Sequence, residues 1–263
     1  MRWAAAAGAP PNTMPLLVVP VTYIARATPR AAIVRLGVPD GEFSFAPGQA
    51  VSLGRHGLPV AKFYSIASAP GDLRRTGEIE FLVGTQEDGR FDAHLAALAP
   101  GTLVDLKGPL GSFGLPAEPH PPRFVFVAGG TGIAPLRAMW RHLVAFHPDA
   151  GLEVLYSART RAHFAYRDEL EQLRTAGRIT LMLTTTREPP PPWAPAEARS
   201  PEPEVRRPDP ILSGRIGLGH LEGPVGRGPA VHLLCGPPAF VAHVERLLGD
   251  LGVAQESIRK EGW

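Results

Sequence analysis

Val127-Ala128-Gly129-Gly130-Thr131-Gly132-Ile133-Ala134-Pro135 is the stretch on which the fold of this chain turns. Ahead of it, Phe124-Val125-Phe126-Val127 is a short apolar run of the kind that forms a buried strand. Behind it, Leu136, Met139, Trp140, Leu143 and Val144 recur at the spacing of one helix face. Pro135 falls in the first turn, where a helix tolerates proline. The sequence therefore predicts a strand running through a glycine-rich turn into a helix N-terminus. Free backbone N–H groups and the positive end of the helix dipole make such a place a seat for a phosphate. The glycines let a bulky anion approach the backbone.

The same strand–helix rhythm continues toward the C-terminus. Phe124–Ala128 leads to a helix at Leu136–Phe146, Leu152–Tyr156 to one at Tyr166–Leu173, and Ile179–Thr184 to a third connection. Val231–Leu234 comes next, then a helix with Val241, Val244, Leu247, Leu248 and Leu251 on one face. This alternation predicts a parallel sheet covered by helices, with ligands at the carboxyl ends of the strands. Toward the N-terminus the character changes. Leu17–Tyr23, Ala32–Leu36, Ala50–Leu53, Phe63–Ser68, Ile79–Gly84 and Leu103–Lys107 read as short strands between Gly, Pro and Asp. Only Asp92–Leu98 reads as a short helix there, so a small antiparallel barrel is expected. The organisation is a tail over 1–15, an antiparallel β-barrel domain over 16–116, a proline-rich joint, and an α/β parallel-sheet domain over 122–263. Nine prolines between Pro189 and Pro210 mark an extended insertion that sustains neither helix nor sheet.

Bulk properties remove several functional classes. A net charge of +2 over 263 residues, with no dense basic run, argues against nucleic-acid binding. No apolar stretch approaches the ~18 residues needed to cross a bilayer, so no membrane insertion is expected. The Ala-rich start is soon broken by Pro10-Pro11, which argues against an export signal. The single cysteine, Cys235, excludes an internal disulfide and a cysteine-ligated iron–sulfur cluster within the chain. A reducing cytoplasm is the expected compartment, and no metal site is expected.

Four further motifs complete the pattern. Lys62-Phe63-Tyr64-Ser65-Ile66-Ala67-Ser68 and Gly108-Pro109-Leu110-Gly111-Ser112-Phe113 lie in the barrel half. Cys235-Gly236-Pro237-Pro238 and Glu261-Gly262-Trp263 lie in the sheet half. With Gly130–Pro135 between them, the chain from Leu16 to Trp263 resembles the ferredoxin–NADP reductase family. The resemblance implies that Lys62 through Ser68 corresponds to an Arg-x-Tyr-Ser-x-x-Ser motif that binds FAD. Tyr64 would lie on the flavin ring and Ser65 near its reactive nitrogen. Gly108–Phe113 resembles the turn that closes the barrel end. Gly130, Thr131 and Gly132 would hold the pyrophosphate of a nicotinamide dinucleotide. Cys235 and Gly236 would lie beside the nicotinamide, Glu261 would link to Ser65 and help pass protons, and Trp263 would cover the flavin. Ser65, Cys235 and Glu261 are the implied catalytic residues.

Two positions depart from that pattern. Lys62 stands where the family has arginine, which keeps the charge but loosens the geometry. Asp92, in Gly89-Arg90-Phe91-Asp92-Ala93-His94-Leu95, stands where the family places Ser or Thr against the FAD pyrophosphate. A carboxylate 4 Å from a phosphate costs roughly 4 kcal/mol at an effective dielectric near 20. Asp92 is therefore expected to cap the next helix or to pair with Arg90; a looser, exchangeable flavin is the other outcome. After the second and third strands of the sheet, Ser157-Ala158-Arg159-Thr160-Arg161 and Thr184-Thr185-Thr186-Arg187-Glu188 offer hydroxyls and arginines. Arg159, Thr186 and Arg187 favour NADPH, with NADH the second choice. The expected activity is hydride transfer from NADPH to FAD, and from there electrons to ferredoxin, flavodoxin or an oxygenase component. A flavin reductase with exchangeable flavin and a non-catalytic flavodomain subunit are the alternatives.

Overall fold

The computed structural model describes residues 16–86, 88–117, 122–188 and 211–262. The expected tail over 1–15, the proline-rich segment over 189–210 and Trp263 fall outside the described residues.

Six strands form the first sheet: β1 (Leu16–Thr28), β2 (Ala31–Gly37), β3 (Ala50–Arg55), β4 (Lys62–Ser65), β5 (Glu78–Gly84) and β6 (Leu103–Leu110). All pair antiparallel, in the order β4-β3-β6-β1-β2-β5. The two edges then meet. Ile66, one residue past β4, bridges Phe81 in β5, and the Ala67 N–H donates to the Glu80 carbonyl at 2.7 Å. Closure of this kind removes the exposed edges of an antiparallel sheet. Alternate residues turn inward, among them Val19 and Val21, Val34 and Leu36, Val51 and Leu53, and Val104 and Leu106.

Two expectations for this half are corrected. Asp92–Leu98 is not a helix; only Ala93–Leu95 winds into one 3-10 turn, and Ala97 at φ 54° prevents its continuation. The Asp92 carboxylate makes no cap there, because Lys62 and Gln86 hold it. The α-helix of this half is instead α1 (Pro70–Thr76). Pro70 suits a first helical turn, the Asp72 carboxylate accepts the Ala69 N–H at 2.9 Å, and Gly77 at φ 69° closes the C-terminus.

The second sheet is wholly parallel. Its strands are β7 (Arg123–Gly129), β8 (Gly151–Ala158), β9 (Thr180–Thr185), β10 (Leu212–Ser213), β11 (Val231–Gly236) and β12 (Ile258–Gly262), in the order β10-β9-β8-β7-β11-β12. Among the described residues, four helices cover it: α2 (Ile133–Phe146), α3 (Arg167–Thr175), α4 (Leu218–Gly226) and α5 (Pro238–Asp250). β7 shows why both faces are buried. Phe124, Phe126 and Ala128 share a core with Leu136, Met139 and Trp140 of α2 and Leu170 of α3. Val125 and Val127 share another with Leu221 of α4 and Val244 and Leu248 of α5. From β7 the chain runs outward through β8 to β10, then returns to the other side of β7 as β11. Open α/β sheets bind ligands in the crevice at such a reversal. Among the described residues, no helix is long and apolar enough to cross a membrane.

The halves are joined by a network of charges. Arg137 of α2, 8% exposed, donates to Glu80 of β5 at 2.8 Å, to the Ala67 carbonyl at 2.9 Å and to Glu169 at 2.7 Å. Its guanidinium also lies 4.2 Å from the centre of the Tyr166 ring. Arg141 grips Asp72 through two bonds of 2.7 and 2.8 Å. The Arg141 bonds, with the Ala69 N–H, hold the Asp72 carboxyl well below the usual carboxylate range despite its burial.

Candidate functional site

Among the cavities along the junction of the halves, two are lined by residues that the sequence motifs single out. The first, about 660 Å³, is lined from the barrel by Lys62, Phe63, Tyr64, Ser65, Gln86 and Asp92, and from the sheet half by Thr131, Ala134, Glu261 and Gly262. The second, about 330 Å³, is lined by Arg30, Gly129, Gly130, Thr131, Ser157, Arg159, His163 and Thr186. Leu82 and Thr131 line both, so the cavities meet there.

Strand pairing builds the contact between the halves at the first cavity. β4 delivers Ser65, beside Ala50 of β3. β12 delivers Glu261, in register with Cys235 of β11. The Ser65 hydroxyl donates to Glu261 Oε2 at 3.4 Å across the domain junction. Burial pushes the Glu261 carboxyl up, while the bond from Ser65 pulls it down. Glu261 is thus a carboxyl that keeps its proton to higher pH than an exposed glutamate does.

Tyr64 is backed by His94. The phenol oxygen lies 2.7 Å from His94 Nε2, and the two rings stack at 5.8 Å with 16° between their planes. Burial and the Asp92 charge push the Tyr64 phenol up, whereas burial and the Lys62 charge push the buried His94 imidazole down. Both are therefore neutral at ordinary pH, and the aromatic wall keeps its position without charge. Lys62 Nζ lies 2.7 Å from Asp92 Oδ2, and Gln86 Nε2 donates to Asp92 Oδ1 at 2.8 Å. The expected Arg90–Asp92 pair does not form, because Arg90 is bonded to Asp88. Ser68 faces the barrel wall, accepting the Glu80 N–H at 3.0 Å, and lies outside both linings.

At the second cavity, cations from both halves gather. Burial and the charges of Arg159, Arg30 and Arg187 hold His163 below its usual pKa, with Glu188 opposing them. Arg159 and Thr186 line the cavity; Arg187 stands one residue further along, its N–H bonded to the Arg159 carbonyl at 2.9 Å. The glycines of the loop divide the work. Gly130, at φ 57°, has open space where a side chain would be. A Cβ on Gly132 would lie 2.3 Å from the Cys235 carbonyl oxygen, so Gly132 is dictated by the close passage of β11. Gly236 is held against Gly129 in the same way, and Cys235 itself is fully buried and lines neither cavity.

The donor sets fit a flavin nucleotide and a nicotinamide dinucleotide. The first offers an aromatic wall, a cation and a proton-exchanging carboxyl; the second offers a glycine turn at a helix start with arginines around it. Sequence reasoning missed Arg30, His94 and Gln86. His94 sat in the segment that holds Asp92 but carried no motif, and Arg30 lies in the turn between β1 and β2, far in sequence from the nucleotide loop.

Residues 18–114 match the family model of the oxidoreductase FAD-binding domain, and residues 126–246 that of the oxidoreductase NAD-binding domain. The chain is 35% identical over 231 residues to ferredoxin–NADP reductase B of Sorangium cellulosum, covering 84% of this chain and 87% of that protein. It is 30% identical over 246 residues to the reductase component of propane 2-monooxygenase from Rhodococcus jostii, covering 90% of this chain and 61% of that one. Its fold matches that of a cytochrome P450 reductase from Amycolatopsis with a TM-score of 0.76 at 24% identity, over 98% of this chain and 73% of that one. The chain belongs to the ferredoxin–NADP reductase family and is an FAD-containing, NAD(P)H-dependent electron-transfer oxidoreductase.

Proposed function

We propose that the protein takes a hydride from NADPH and passes electrons to a separate carrier protein, a ferredoxin or flavodoxin, or to an oxygenase component. The observation that carries this reading is the meeting of the two cavities at Leu82 and Thr131 beside the Ser65–Glu261 contact. FAD, when bound, would supply the chemistry of taking up two electrons as hydride and giving them back singly or in pairs. The chain supplies alignment and protons. Residues 16–116 hold the flavin through Tyr64, Phe63, Ser65 and Lys62; residues 122–263 hold the nucleotide through Gly130, Thr131, Gly132, Arg159, Thr186 and Arg187. Through the Ser65 hydroxyl, Glu261 would give up the proton that accompanies the hydride onto the flavin and would take it back as the electrons leave. Fully buried Cys235 contributes from behind, fixing Gly132 and placing Glu261 by strand register. The named relatives act as reductases toward ferredoxin or as the reductase component of a monooxygenase, which supports a protein acceptor.

The acceptor reading is tested by following NADPH-dependent reduction of ferredoxins and flavodoxins from the source organism. Rapid turnover with one of them is expected; turnover with free flavin alone would favour a flavin reductase. Nucleotide choice has its own test. A charge-assisted hydrogen bond contributes roughly 1.5–3 kcal/mol, and 1.4 kcal/mol is about tenfold. Arg159, Arg30 and Arg187 are all exposed, so each replacement by Ala should lower kcat/KM for NADPH by about tenfold, toward the lower end of that range. NADH should be nearly unaffected. Equal losses for both nucleotides would reject a 2′-phosphate role.

A further inference from the structure

We propose that Asp92 sets the affinity for phosphorylated flavins by competing with the flavin's phosphates for Lys62. The inference rests on the reading that the 660 Å³ cavity holds the flavin. Lys62 is the only cation among the described residues lining that cavity. Its ammonium is engaged at 2.7 Å by Asp92, whose other oxygen is held at 2.8 Å by Gln86. The carboxylate is thus oriented from both sides. The bonds from Lys62 and Gln86 also keep it below the usual carboxylate range, so it is ionised at neutral pH. An incoming phosphate meets an ammonium already paired. Either the carboxylate gives up its contact with Lys62, or two anions share one cation at close range. Neither route leaves Lys62 worth to a phosphate what an unpaired cation would be.

Flavins differ in the relevant group: FAD carries a pyrophosphate, FMN a single phosphate and riboflavin none. Asp92 should therefore hold back FAD and FMN while leaving the ring's own contacts with Tyr64 and Phe63 untouched. Lys62 and Asp92 are about half-exposed, so the competition should weaken as salt rises.

The test is a fluorescence titration of full-length protein, freed of flavin, with FAD, FMN and riboflavin. For Asp92→Asn and Asp92→Ser, FAD and FMN affinities are expected to rise about tenfold or more at low salt, with riboflavin within about twofold. Lys62→Met should weaken FAD and FMN and leave riboflavin alone. Unchanged FAD affinity in both Asp92 variants, or riboflavin tightened as much as FAD, would overturn the proposal. Tyr64→Ala separates the two levels of argument. If it shifts the bound flavin's visible spectrum while the Asp92 variants do nothing, the competition is wrong and the cavity assignment stands. If it leaves spectrum and affinity unchanged, both are wrong.

Discussion

Arg137→Ala should lower the free energy of unfolding by about 3–5 kcal/mol, the range for removing one partner of a buried ion pair. The cost is that of the charges left behind. Glu80 has a side chain only 8% exposed and is held by Arg137 at 2.8 Å and by Arg35 at 2.8 Å. Arg35 is 41% exposed and reaches Glu80 from solvent, so it compensates only in part. The variant also strips a donor from the Ala67 carbonyl and from Glu169, and removes a cation from the Tyr166 ring. These contacts join the barrel to α2, so the loss should fall on the junction that holds the two cavities together. Denaturant unfolding of the flavin-loaded protein measures it. Arg246→Ala, which breaks an exposed pair with Asp250, should cost no more than about 1 kcal/mol. Replacing Glu80 with Gln in the Arg137→Ala background should recover part of the loss, because the uncompensated charge goes with it. A loss below about 1 kcal/mol for Arg137→Ala would show that the network is not holding the halves.

Such a network is invisible to sequence pattern. The turn after β7 was legible because a strand, a glycine turn and a helix are local, and each has its own period. The barrel was legible for the same reason: alternating Val and Leu with Gly, Pro and Asp between them specify short strands. Arg137 was not, since on a helical wheel it is merely a polar residue next to Leu136, and its partner Glu80 lies 57 residues away. α1 was missed because Pro70-Gly71 reads as a turn, whereas Pro70 in the first helical turn and the Asp72 carboxylate make it a helix start. β12 was missed because Ile258 is its one β-branched residue and the rest, Arg259-Lys260-Glu261-Gly262, is charged or glycine. It is a strand because it pairs with β11 at the end of the sheet, where Ile258 is buried and the residues after it are not. The Lys62–Asp92 pair was hidden differently. Each departure from the family pattern was visible alone, but only the fold shows that the two side chains answer each other at 2.7 Å.

Glu261→Gln should slow reduction of the bound flavin by NADPH by about 10²-fold or more, within the 10²–10⁴ that a positioned proton-exchanging side chain contributes. Flavin content should stay normal. Ser65→Ala should do nearly as much, because its hydroxyl is bonded to that carboxyl and lines the same cavity. The 3.4 Å bond between them is long, as contacts of this kind often are before substrate closes the site. If the two side chains act as one unit, the double variant should be scarcely slower than the worse single one. Stability gives an independent readout of the same carboxyl. Its folded pKa is raised by burial, so the folded protein holds this proton at pH values where the unfolded chain has lost it. The contribution of Glu261 to stability is therefore fully present below the ordinary glutamate pKa and declines as pH rises through the raised one. Glutamine cannot ionise and escapes that decline. Glu261→Gln should then melt higher than the parent at neutral pH, with the gap closing toward pH 4, while its flavin is reduced far more slowly. A carboxyl that merely braced the fold would instead lose melting temperature on substitution. Stopped-flow traces that superimpose for parent, Ser65→Ala and Glu261→Gln would remove both residues from the chemical step.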